Sequence, residues 1–98
     1  MPVVMEVVLP RVTRAQYEQL RDRVDWVNRP PDGALIHVVW WEGAHCHCIE
    51  VWESRQHWER FEAERLGPAA ADLGYSVEAS PVLHDPHEVL IATTPGGT

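Results

Sequence analysis

The order of elements along this chain predicts an α+β fold, a four-stranded antiparallel sheet strung β-α-β-β-α-β with both helices on one face. Three observations carry that prediction. Residues 34–41 and 45–52 are two short strand-like runs around Glu42-Gly43-Ala44, which is a hairpin pattern. Two stretches of helical spacing, each behind a good capping residue, Thr13 or Ser54, flank the hairpin. A short β-branched run at 3–9 opens the set and a last strand over 77–83 closes it.

Each element has a local reason. Val3-Val4-Met5-Glu6-Val7-Val8-Leu9 is a strand ended by Pro10. Thr13-Arg14-Ala15-Gln16 has capping-box spacing, in which hydroxyl and amide satisfy free backbone donors. Tyr17, Leu20, Val24 and Val27 then form one helical stripe, and the helix is expected to stop near Asn28, before Pro30-Pro31-Asp32-Gly33. Ser54 caps a second helix with Trp58, Phe61 and Leu66 inward. Gly67-Pro68 should interrupt it, with a further turn or two over 69–73. Pro81 marks the last strand as an edge or a bulge, and 93–98 reads as a flexible tail beyond one domain of residues 1–92.

A sheet covered by helices on one face should be polar on the other if it lives alone. Here strand two carries Ala34, Ile36, Val38 and Trp40 on one face and Leu35, His37, Val39 and Trp41 on the other, and neither is a solvent face. A second copy of the chain packed sheet to sheet is therefore expected, since leaving roughly four such side chains in water forfeits about 1.5–3 kcal/mol each. A net charge of −7 with no basic cluster argues against nucleic acid or anionic membrane as partner. No segment is apolar over the ~18 residues a membrane helix needs. Two cysteines propose no disulfide framework, and a cytoplasmic protein is the expectation.

At this point the chain resembles a known group. Val51-Trp52-Glu53-Ser54-Arg55, followed by Trp58-Glu59-Arg60-Phe61 and Leu66-Gly67-Pro68-Ala69, is similar to the dimeric α/β-barrel superfamily, small ferredoxin-like proteins that include the antibiotic-biosynthesis monooxygenases. The resemblance covers nearly all of the chain from Val3 to about Leu90. It implies two ferredoxin-like units dimerising into an α/β barrel, each with a pocket between sheet and helices. Its relatives include cofactor-free oxygenases of polyphenols, haem-degrading enzymes, isomerases and stress-responsive proteins. In the monooxygenase branch an asparagine and a tryptophan four residues apart on strand three line the pocket, accompanied by a tyrosine or histidine from another element. Trp52 matches the tryptophan, but the asparagine position holds Cys48, which removes an amide donor.

A two-residue loop at Gly43-Ala44 places Trp41 opposite Cys46 and His37 opposite Glu50. One face then carries Leu35, His37, Val39, Trp41, Cys46, Cys48, Glu50 and Trp52, and the resemblance assigns this face to the pocket. His37 and Glu50 are the candidate catalytic pair, the carboxylate favouring a charged imidazolium and burial the neutral ring. A mutually satisfied structural pair is the plainer account of the same residues. The expected pocket lining is Leu35, Trp41, Cys48, Trp52, Trp58 and Phe61.

Other residues are weaker candidates. Alternation sends His45 and His47 to one face and Cys46 and Cys48 to the other, so the four cannot wrap one ion; no metal site is expected, the lesser reading being one completed by a second His45/His47 pair across a dimer interface. Cys48 near an imidazole invites a covalent role, against which an apolar setting weighs. Glu59, Glu62, Glu64 and Arg65 read as a solvated helix face, His57 as exposed near the helix start, and His84 and His87 as part of a bend. The reading is a homodimeric pocket protein of the cofactor-independent monooxygenase or isomerase kind, requiring no cofactor and acting on a small apolar or aromatic molecule. The alternative is a non-catalytic ligand-binding or interaction module of the same fold.

Overall fold

The structure is a computed structural model, and it describes residues 1–75 and 81–92. The elements run β1 (Val3–Leu9), α1 (Arg14–Val24), β2 (Ala34–Glu42), β3 (His45–Trp52), α2 (Arg55–Phe61), α3 (Gly67–Asp72) and β4 (Val82–His84). The strands form one sheet in the order β2-β3-β1-β4, every pair antiparallel. This is the predicted α+β arrangement. β4 is an edge strand with Pro81 just before it, a position where the missing N–H costs no ladder bond. Residues 77–80 of the expected last strand, and the expected tail over 93–98, lie outside the described residues.

The hairpin sets the register of everything that follows. Gly43 takes φ +59 while Ala44 stays at negative φ, the sign pattern of a type II′ turn with glycine first. Trp41 then pairs with Cys46, Val39 with Cys48 and His37 with Glu50, as the loop length predicts. At the open end the pairing slips by one residue between Ala34 and Ile36. Ala34, not Leu35, therefore sits opposite Trp52, because the extra residue of a bulge has no partner across the ladder.

α1 begins as expected. The Thr13 side chain accepts from the Gln16 N–H at 3.1 Å and the Gln16 amide oxygen accepts from the Thr13 N–H at 3.0 Å. Its end differs from the expectation of a stop near Asn28. Asp25 enters the left-handed region at φ 57, its N–H and that of Trp26 folding back on the last turn. The chain thus leaves the helix after Val24, so Trp26 turns inward and Val27 is left 71% exposed.

α2 starts at the Ser54 cap, whose hydroxyl accepts from the His57 N–H at 3.2 Å. Gly67-Pro68 does not break the path. One π-helical turn over Glu62–Leu66 carries α2 into α3, with the Gly67 N–H reaching back to the Glu62 carbonyl. A wider turn makes room for a proline that can donate no bond and would crowd a regular helix. Arg65, expected among solvated charges, instead lays its guanidinium against Phe61 and donates to the carbonyls of Val24 and Arg29, satisfying the free end of α1.

The helices cover one face of the sheet. Val3, Leu20, Val24, Trp52, Phe61, Ala69 and Ala70 form the buried core, with Trp26, Trp58 and Leu66 packed on it. Alternation sends Val4, Val8, Ile36, Val38, Trp40, Ile49 and Val82 to the opposite face. Val8, Val38, Trp40 and Val82 are exposed there. Among the described residues no helix is long and apolar enough to cross a membrane.

Candidate active site

The helix-side face of β3 presents Cys46, Cys48, Glu50 and Trp52, and each has a partner position on β1 and β2. Between this face and the helices lies a cavity of about 600 Å³, lined mainly by apolar groups of β1, α1, α2 and α3 with a few polar ones among them. That size suits a small organic ligand, for which sites of about 300–1,000 Å³ are usual. His37, Glu50 and Tyr17 all reach its wall.

These three residues and Trp52 form one hydrogen-bonded chain. Glu50 is a buried carboxylate on the central strand β3, and a group that costs so much to bury must be paired. Its Oε1 accepts the Trp52 indole N–H at 2.9 Å, and its Oε2 lies 2.6 Å from His37 Nδ1. His37 Nε2 in turn lies 2.7 Å from the Tyr17 hydroxyl. An ionised carboxylate can only accept, so a neutral imidazole in this network carries its proton on Nδ1 and has Nε2 as acceptor of the Tyr17 O–H. Trp26 covers the imidazole with ring centres 4.8 Å apart. Trp41 meets Tyr17 edge-on at 5.7 Å and donates its own N–H to the Val12 carbonyl at 3.0 Å.

The expected pair His37–Glu50 is thus in direct contact. Of the expected lining, Cys48, Trp58 and Phe61 reach the cavity and Leu35, Trp41 and Trp52 do not. Leu35 loses its place to the bulge. Trp41 packs edge-on against Tyr17, which is the one of the two that reaches the cavity. Trp52 is wholly buried in the core, packed against the wall residues Trp26, Trp58 and Phe61 and bonded to Glu50. The sequence reading passed over two residues of the site. Tyr17 was legible in principle, since it shares the inward stripe of Leu20 and Val24 and a phenol buried there needs a partner. Trp26 was not, because its inward turn depends on the left-handed residue before it.

Burial pushes the Tyr17 hydroxyl from its ordinary 10.0 up to about 12, and Cys48 and Glu50 nearby add to the shift. Burial likewise drives the Cys48 thiol far above its usual range, helped by Cys46 and Glu50. Cys48 is therefore a neutral thiol at ordinary pH and unsuited to nucleophilic attack. On the opposite sheet face His47 lies 3.1 Å from Glu42 and stacks on Trp40, while His84 lies 2.7 Å from Glu6. His57 is half-buried, not exposed, its Nδ1 2.6 Å from the Ser54 hydroxyl. Among the described residues no three metal-ligating side chains come together.

No protein-family model matches the chain, and no curated protein matches it. Among solved structures it is similar to Rv0793 from Mycobacterium tuberculosis, with TM-score 0.66 and 18% identity over 91% of this chain and 98% of the other. It is similar to SnoaB, a cofactor-independent oxygenase from Streptomyces nogalater, with TM-score 0.64 and 17% identity over 91% and 95%. It is also similar to the monooxygenase ActVA-Orf6 of Streptomyces coelicolor, solved with nanaomycin D, with TM-score 0.57 and 18% identity over 92% and 91%. At these identities the likeness is one of architecture: the chain has the ferredoxin-like fold shared by antibiotic-biosynthesis-monooxygenase-like proteins, the group its sequence resembles.

Proposed function

We propose that this chain is a homodimeric enzyme of the cofactor-independent monooxygenase or isomerase kind, acting on an apolar or aromatic metabolite held in the cavity. The observation that carries the proposal is a proton-accepting imidazole, fixed by a buried carboxylate at 2.6 Å, in the wall of an otherwise mainly apolar cavity. His37 is the ultimate acceptor of the substrate's acidic proton, and Glu50 fixes its tautomer and stabilises the imidazolium that results. The substrate is left as an electron-rich anion in a site with little water, ready to meet dioxygen or to be reprotonated elsewhere on its skeleton. SnoaB supports the oxygenase choice, and the nanaomycin D bound to ActVA-Orf6 supports an organic ligand of that general size.

One observation favours the second reading, a binding module without turnover. The strand-three asparagine of the monooxygenase branch is here Cys48, whose neutral thiol is a weak hydrogen-bond donor. The two readings part on one variant. His37→Ala, screened for oxygen uptake and for product against a panel of aromatic hydroquinones, should cost about 10²–10⁴-fold in rate, the usual worth of a positioned base. Its melting temperature should stay near that of the wild type. Wild-type protein that binds members of the panel and turns none over establishes the binding module instead.

A further inference from the structure

The back of the sheet carries a polar cluster that the cavity does not use. β2 runs on through Glu42, past the expected end of the strand at Trp41, so Glu42 stands on the same face as Val38 and Trp40. Directly across the ladder from it is His45, and two residues further along β3, on the same face, is His47. Gly43, at φ +59, closes the two-residue turn and holds Glu42 and His45 opposite each other. Two imidazoles and a carboxylate thus share one end of one sheet face, while Cys46 and Cys48 belong to the other.

We propose that Glu42, His45 and His47 form a binding site for a divalent transition-metal ion such as zinc. Two of the three ligands already meet, His47 Nε2 lying 3.1 Å from Glu42 Oε2. Their contact is braced from behind. Trp40 stacks on the His47 ring with centres 5.2 Å apart, and its N–H donates to Glu42 Oε2 at 3.3 Å. Outer contacts of this kind fix the orientation of metal-ligating rings and carboxylates. His45 is the ligand still to be drawn in: its side chain is exposed, and among the described residues no three ligands converge. Directly opposed residues of two strands have Cβ atoms about 4.5–5.5 Å apart. Rotation of the His45 side chain therefore brings its ring to Glu42 with the backbone held still.

The donor set selects the ion. Two imidazole nitrogens and one carboxylate, with no thiolate, suit zinc, nickel or copper, whereas calcium and magnesium take oxygen ligands. Three protein ligands leave a further position open to water, the pattern of an open zinc site and not of a closed structural one. Counting only His45 and His47, the sequence reading needed a second copy to complete a set. Glu42 supplies the third ligand from the same chain. The site lies on the opposite face of the sheet from His37 and Glu50, so it stands or falls apart from the enzymatic reading.

The test is calorimetric titration of zinc chloride into the untagged full chain, first stripped of metal with a chelator. One ion should bind per chain. His45→Ala, His47→Ala and Glu42→Gln should each weaken binding by about tenfold or more, since even an outer partner of a metal ligand is worth about 10–100-fold. His84→Ala is the control. That exposed histidine also pairs with a carboxylate on the same face, Glu6 at 2.7 Å, and its loss should leave zinc binding unchanged. Circular dichroism confirms that the variants are folded. Binding that survives His45→Ala shows a two-ligand contact only and overturns the site. Binding spread over the histidines, with His84→Ala as damaging as the others, overturns it too. One ion per two chains replaces the single-chain site with a bridge between copies, and wild type that takes up no zinc ends the proposal.

Discussion

Tyr17 and Cys48 show how one buried position can govern both chemistry and stability. Each holds its proton more tightly in the folded chain than in the unfolded one, chiefly because burial penalises the charged form. Their contribution to stability is complete below the ordinary thiol and phenol ranges and is lost as pH rises through them. For Cys48 the loss begins near 9.0, and for Tyr17 it runs from 10.0 to about 12. Urea midpoints measured at rising alkaline pH should therefore fall beyond the thiol range, and Cys48→Ala should flatten the first part of that fall. A wild-type midpoint that stays level through this range contradicts the burial of both groups. At this scale the His37–Glu50 contact was legible because strand alternation and a two-residue turn leave one register. The phenol at its other end was visible only as a member of an apolar stripe.

Between elements, the junctions decide what periodicity leaves open. Hydrophobic spacing located both helices and the hairpin, yet the end of α1, the bulge in β2 and the π-turn before α3 all departed from the simple pattern. Each departure belongs to a residue or two whose backbone answers to tertiary neighbours. Gly33 is the sharpest case. It enters β2 at φ +82, its carbonyl accepts the Glu53 N–H at 2.8 Å, and a Cβ there would lie 2.3 Å from His57 Cγ. The open end of the hairpin is thus pressed against the first turn of α2. Gly33→Ala should cost about 2–4 kcal/mol, the left-handed penalty and the steric overlap together. Urea denaturation reads it directly, and a change below about 0.5 kcal/mol, ordinary for a surface substitution, would falsify the close contact.

For the whole molecule, the apolar back of the sheet remains the dominant unsatisfied feature. Val38 is 47% exposed and Trp40 37%, side by side with His47 and Ile49 on a face that, among the described residues, carries no helix. Cover by a second copy, proposed above, is the arrangement that returns this surface to an apolar setting, and contiguous patches of the kind are uncommon on monomers. Val38→Asp places an unpaired charge on that face. Sedimentation velocity should find wild type dimeric and the variant monomeric at micromolar concentration. A wild type that sediments as a monomer removes the dimer from the proposal, and His37 with its partners would then have to work within one chain, where all of their hydrogen bonds already lie.

The amino-acid sequence by itself determined the element order, the hairpin register, both helix starts and the meeting of His37 with Glu50. These follow from local rules: side-chain alternation, turn length and capping bonds act over a few residues. Tertiary structure decided that Trp26 covers the imidazole, that Tyr17 fills its last lone pair, and that Leu35, Trp41 and Trp52 leave the cavity wall to others. Those outcomes depend on one left-handed residue, one bulge and the packing of α1 over β2, all of which are settled by contacts between segments far apart in the chain.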